Sequence, residues 1–308
     1  MGVWIDTDMG FDDLAAILVV MHQGLAVDGI SLCFGNTDLA QARRNAAGAT
    51  RAFGWTVPFH TGREKPVFGA LETATAILGD TGIPTLGRSL PATDVMPQGN
   101  AFLALSDWLA KDDGEKRLLA LGPLTNIAAL TLARPDLAAK IDELVWMGGG
   151  LTSGNHTASA EFNALADPEA LAIVLAHGLP LKMVDLDFCR KILATPADAE
   201  PIRAAGGRNA DLLADMTGGF IDIAISRGRP AMALYDPAAA AAFVRPDVVT
   251  WTPAHIAVEC AGTLTRGRTV VETRATHATF NAHYASGCDA AAVRRIVLGA
   301  LEAEAAKP

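Results

Sequence analysis

The chain has 308 residues and a mass of 32.1 kDa, and half of its residues are hydrophobic, so it can bury one large core or two modest ones. A formal charge of −9 and a pI near 5.2 exclude a phosphate-tracking surface, because sequence-independent binding to nucleic acid needs clustered Lys and Arg and none stand out. The four cysteines, Cys33, Cys189, Cys260 and Cys288, show no C-x-x-C pair and no neighbouring His at zinc-site spacing, and are expected as buried or free thiols. No basic region and apolar stretch of the kind an export signal requires precedes Asp6, which predicts a cytoplasmic protein. The apolar run Leu14 to Met21 falls short of the roughly 20 residues a membrane-spanning helix needs, so no membrane partner is expected.

Along the chain, short β-branched or aliphatic runs alternate with longer helical patterns, the signature of an α/β fold with a mostly parallel open sheet flanked by helices. Val3-Trp4-Ile5 reads as a buried strand, and Leu14, Ile17, Leu18 and Met21 then recur on one helix face. Val27 to Phe34 returns as a second strand, and later strands are predicted at Leu118–Leu121, Leu144–Met147, Leu181–Val184, His255–Cys260 and Thr269–Glu272. Helices are predicted near 38–53, 99–111, 125–133, 168–176, 209–227 and 287–303. The Pro/Gly-rich stretch 79–99 reads as a surface excursion, since the pattern continues unchanged on both sides, and residues 1–308 form one domain.

In open α/β sheets ligands bind at the carboxyl ends of strands, where loops lead into helices. "DTDMGFDD" at 6–13, Gly35-Asn36, "GPLTN" at 122–126 and Gly148-Gly149-Gly150 all fall at such places. The acidic loop is the most demanding of them. Asp12 and Asp13 suit the first turn of a helix, and Asp6 or Asp8 a cap or turn. That accounts for two carboxylates, but four so close repel and raise each other's pKa unless a cation sits among them. A hard divalent ion such as Ca²⁺, which takes six to eight oxygen ligands, would neutralise the cluster. A strand followed by D-x-D also opens phosphatases of the haloacid-dehalogenase type, with Asp6 as nucleophile, but Gly10 stands where they expect Thr or Val and Asp12-Asp13 has no role there.

"DTDMGFDD" resembles the D-x-D-P-G-x-D-D opening of the inosine-uridine-type nucleoside hydrolases, and further motifs of that family follow in order. They are Gly35-Asn36, "ALGPLTNIA" at 120–128, "MGGG" from Met147, "GNHTASAEFNALADPEA" at 154–170, "YDPAA" at 235–239 and "VECAGTLTRGRTVVE" at 258–272. Singly, each is better explained as a turn, a first-turn residue or core packing; the ordered set reverses that judgement. The resemblance implies a Rossmann-like fold and hydrolysis of ribonucleosides to free base and ribose, in salvage or catabolism, by a homodimer or homotetramer. It further implies Ca²⁺ held by Asp8, Asp13, Asp236 and the backbone carbonyl of Thr125. Asn36 and Asp12 would orient the ribose diol, Asn155, Glu161 and Asn163 would hold the 5′ side and the 3′-hydroxyl, and Met147 would pack against the sugar. Asp8 is the candidate base for an attacking water, and Asp6 supports the loop.

Three departures stand out. Tyr235 occupies the position before Asp236 where many members carry a His, and the stretch 77–82 lacks another His common there, so the base must leave without it. Tyr235 offers stacking or a phenolic proton, and His156 is a lesser acid candidate. Met9 replaces the usual Pro, which restores an N–H and frees φ. A nucleoside-binding protein that has lost turnover is the remaining alternative.

Overall fold

The computed structural model describes residues 2–308. Its strands are β1 (Gly2–Thr7), β2 (Ala26–Leu32), β3 (Phe59–Thr61), β4 (Gly99–Asn100), β5 (Arg117–Ala120), β6 (Glu143–Met147), β7 (Leu181–Val184), β8 (Leu193–Ala194), β9 (Met232–Ala233), β10 (Val249–Val258), β11 (Thr269–Glu272) and β12 (Ala282–Cys288). Ten of them form one sheet in the order β11-β10-β12-β7-β6-β5-β1-β2-β3-β4, while β8 and β9 pair separately. Neighbours from β12 through β4 run parallel, and β10 joins β12 and β11 antiparallel at one edge. The mostly parallel α/β sheet expected from the alternating pattern is what the chain forms.

Both sheet faces are covered, and side chains alternate between them along the central strands. Ile5, Leu119, Val145 and Met147 enter one core with the helices Phe11–His22, Ala210–Ile225, Asp236–Val244 and Ala290–Ala305. Trp4, Leu118, Leu144 and Trp146 enter the other, against the helices Ala101–Ala110, Thr125–Ala133 and Pro168–Ala176. Each fully buried side chain of this size contributes about 1.5–3 kcal/mol.

The chain leaves β1 toward β2, β3 and β4 on one side, and β5, β6 and β7 extend the sheet on the other. The strand order reverses between β1 and β5, so the loops after these two strands diverge and open a crevice. The acidic loop and Gly122–Asn126 flank it.

Several elements differ from expectation. The helix Asp236–Val244 carries no periodic signal, because its alanine-rich sequence is buried on every side from Asp236 to Phe243. Strand β12 mixes His, Tyr, Ser and Gly and was not predicted; it takes residues 287 and 288 from the start of the predicted last helix. Strand β10 begins six residues before His255, at Val249, and β2 ends at Leu32 rather than Phe34. All four cysteines are free, Cys33 and Cys189 buried, as expected. No helix of the described residues is long and apolar enough to cross a membrane.

Candidate active site

The acidic loop is held by its own polar groups. Thr7 at the end of β1 donates its hydroxyl to Asp13 and accepts from the Met9 N–H at 3.0 Å. The Gly10 N–H donates to the second Asp13 oxygen at 2.8 Å, so Asp13 also caps the helix it belongs to. Met9 has φ +55°, the left-handed region, with a fully buried side chain, and its carbonyl accepts from the Asn45 amide at 3.0 Å. Proline, locked near −65°, cannot take that φ.

Asn36, after β2, is the clamp of the loop. Its main-chain N–H donates to Asp8 at 2.6 Å, and its amide nitrogen bridges Asp8 and Asp13 at 3.0 Å each. Gly35 beside it admits the Asp8 carboxylate where any Cβ would collide with it. Asp6 lies beneath, fully buried, with one oxygen accepting from Ser31 and from Asn126 at 2.8 Å, and with a carboxyl that burial pushes up to about 7. It takes no part in the cleft lining. A nucleophile must reach its substrate, so Asp6 is badly placed for the phosphatase alternative.

Asp236, at the start of its buried helix, meets the loop from the opposite side. Carboxylate oxygens of Asp12, Asp13 and Asp236 lie within 4.8 Å of one another. The expected ligand set had Asp8 where this close-set triad has Asp12; the oxygens of Asp8 are instead engaged by Asn36. Burial first, and then the neighbouring Asp charges, hold Asp8 and Asp236 well above the usual carboxylate range, and the same two causes raise Asp12 to about 7. The donors are all hard carboxylate oxygens in a largely buried, like-charged cluster, which fits a hard divalent cation.

These carboxylates floor a cleft of about 480 Å³, within the range of small-molecule sites. Asp8, Asp12, Asn36 and Asp236 form the floor, and Asn155, Glu161 and Asn163 a second polar wall beside Met147. Glu161 and Asn163 are buried rather than the solvated pair their sequence suggests in isolation. Glu161 accepts from the N–H groups of Gly149, Asn163 and Ala164, and burial raises its carboxyl to about 7. The Asn163 amide donates to the carbonyls of Leu121 and Met147, tying the ends of β5 and β6 to the helix Phe162–Ala166. Asn155 accepts from the Phe162 N–H at 3.0 Å. His156 lines the cleft with its ring edge-on to Phe162. Thr125 is fully buried outside the lining, its hydroxyl donated to Asp167 at 2.6 Å.

The rest of the lining escaped sequence reasoning. Ile77, Leu78, Phe220 and Ile223 build an apolar wall beside Tyr235, and Arg190, Arg227 and Arg229 stand at the rim. Phe220 and Ile223 lie three residues apart on a predicted helix, the one signal that marked a shared face; which face met the cleft was not readable. Tyr235 is half-buried, and burial raises its phenol, keeping the proton on.

Comparison with known proteins agrees with this geometry. The family model for inosine-uridine preferring nucleoside hydrolases matches residues 3–295. The pyrimidine-specific ribonucleoside hydrolase RihA of Enterobacter sp. (strain 638) is 33% identical over 273 residues, 87% of each chain. The non-specific ribonucleoside hydrolase RihC of Shigella flexneri serotype 5b is 33% identical over 272 residues, 88% of each chain. Among solved structures, the purine-preferring ribonucleoside hydrolase from Gardnerella vaginalis superposes with a TM-score of 0.91 at 28% identity, covering 99% of both chains. Motifs, sheet and carboxylate-floored cleft thus converge: the chain belongs to the inosine-uridine preferring nucleoside hydrolase family, enzymes that hydrolyse the N-glycosidic bond of ribonucleosides.

Proposed function

We propose that the protein is a Ca²⁺-dependent ribonucleoside N-ribohydrolase in which Asp8 activates the attacking water. The observation that carries this reading is the cluster of four carboxylates at a cleft by the strand-order reversal: Asp8, Asp13 and Asp236 are buried and Asp12 is half-buried, and all but Asp13 line the cleft. Asp13 and Asp236 would hold the ion, with Asp12 or Asp8 beside them and the Thr125 carbonyl as the further ligand the resemblance implies. Bound there, Ca²⁺ would neutralise the cluster and lower the pKa of a coordinated water.

The chain's own residues do the rest. Asn36 fixes the Asp8 carboxylate by two N–H donors, so that Asp8 is oriented to take a proton from water on the sugar face opposite the base. Asp12, lining the cleft beside it, accepts from the ribose 2′-hydroxyl, and its charge favours the oxocarbenium-like transition state. Glu161 and Asn163 are pre-oriented by the backbone bonds described above, and Asn155 offers its amide N–H groups to the 5′ side. Tyr235 faces the departing base with a protonated phenol.

Base release from a panel of purine and pyrimidine nucleosides, with Ca²⁺ and with a chelator, tests the reading. Release that chelation abolishes and Ca²⁺ restores is expected. Tight nucleoside binding with no release over hours would instead make the chain a binding protein.

A further inference from the structure

The cleft is electrically two-ended. Its floor is acidic, with Asp8 and Asp236 buried and Asp12 half-buried, whereas Arg190, Arg227 and Arg229 also line it, in a chain of net charge −9. Arg227 and Arg229 flank Gly228, whose φ of +73° turns the backbone just beyond the helix Ala210–Ile225, so both side chains leave one tight turn. Both are exposed, both line the cleft, and among the described residues neither guanidinium has a hydrogen bond or an ion pair. Arg190 is anchored: it donates to the Ser153 carbonyl and hydroxyl at 3.2 and 3.1 Å and to the Gly154 carbonyl at 2.9 Å, with Asp187 at 3.7 Å. Those carbonyls immediately precede Asn155. A neutral nucleoside uses none of this charge.

We propose that these three guanidinium groups receive an anionic group of the substrate, so that the preferred ribonucleoside carries a delocalised oxyanion at the end remote from the carboxylate floor. The claim rests on the ribohydrolase reading above. Two sources share this chemistry, a 5′-phosphate and a base that ionises near neutral pH. Guanidinium groups favour such oxyanions because they offer paired N–H donors along with charge. The acidic floor opposes the same group, which selects for substrates whose charge lies away from the ribose 2′,3′-diol.

The test compares kcat/KM for inosine, inosine 5′-monophosphate and xanthosine, with Ca²⁺ at low ionic strength, in the wild type and in Arg227→Gln/Arg229→Gln. We expect one charged probe to exceed inosine by about ten-fold or more, and the double variant to lower that ratio by about ten-fold. A gain confined to the monophosphate assigns the charge to the 5′ end, and one confined to xanthosine assigns it to the base. Hydrolysis of inosine with no preference for either charged probe, or a ratio that does not move in the variant, overturns the proposal and leaves nucleoside hydrolysis standing. Absence of base release from inosine and from both charged probes overturns the ribohydrolase reading, and the proposal with it.

Discussion

Replacing Met9 with proline restores the residue usual in the resembling motif, and a count of family preferences would expect a neutral or stabilising change. The backbone predicts the opposite. Met9 sits at φ +55°, about 120° from the proline value, so Met9→Pro forces the loop to rearrange at a cost of about 1–2 kcal/mol. It deletes the N–H that bonds Thr7 at 3.0 Å, about 1 kcal/mol. It also trims a fully buried side chain, about 2 kcal/mol. The total is on the order of 4 kcal/mol, which for a chain of this length lowers Tm by about 6 °C. Thr7 also positions Asp13, so Ca²⁺ affinity should fall about ten-fold. Met9→Gly separates the contributions, since it keeps the N–H and relieves about 1 kcal/mol of left-handed strain while still losing the side chain. Thermal unfolding and calcium titration of the three proteins should rank them wild type, Met9→Gly, Met9→Pro. Refutation would be a Met9→Pro protein that melts within about 1 °C of wild type and binds Ca²⁺ equally, meaning the loop accepts the proline geometry without cost.

Further outcomes follow from the same contacts. Asp13→Ala should lose metal binding and base release together, whereas Asp8→Asn should bind Ca²⁺ within a few-fold of wild type and lose about 10²–10⁴-fold in kcat; full turnover in Asp8→Asn removes Asp8 as the base. Tyr235→Phe keeps a stacking ring and loses the phenolic proton, so kcat near wild type in Phe with a drop in Ala indicates stacking, while an equal drop in both indicates proton donation. Asn126→Ala should cost about 2–3 kcal/mol in denaturant unfolding, because it strips donors from Asp6 and Leu32 and an acceptor from the Arg63 N–H; a cost under about 0.5 kcal/mol would show that Asp6 needs no such support. Burial raises the Asp185 carboxyl to about 6 from 3.8, and one of its oxygens has no partner. At this position the unfolded chain therefore ionises first, and the contribution of Asp185 to stability falls by about 3 kcal/mol as pH rises from near 4 through 6. Asp185→Asn should flatten that slope in urea titrations at pH 4.5 and 6.5, and an unchanged slope would count against the assignment.

Features whose cause is local or strictly ordered were legible in the amino-acid order. Period and turn chemistry marked β1, the helix after it and most of the later parallel strands, because burial against a sheet leaves a repeating apolar pattern. The ordered motifs picked out Asp8, Asp12, Asp13, Asn36, Glu161, Asn163 and Asp236, because each station keeps its residue types at fixed spacing. What those residues touch depended on the folded arrangement. It put Asp12, rather than Asp8, in the close-set triad and made Asn36 a bridge between two carboxylates, since both outcomes depend on loops brought together from separate strand ends. The alanine-rich helix that carries Asp236 was invisible for the converse reason: buried all round, it has no face to repeat. Nothing in the order of residues singled out Arg190, Arg227 and Arg229, which the fold brings to one cleft, because an arginine near the surface leaves no pattern in its neighbours.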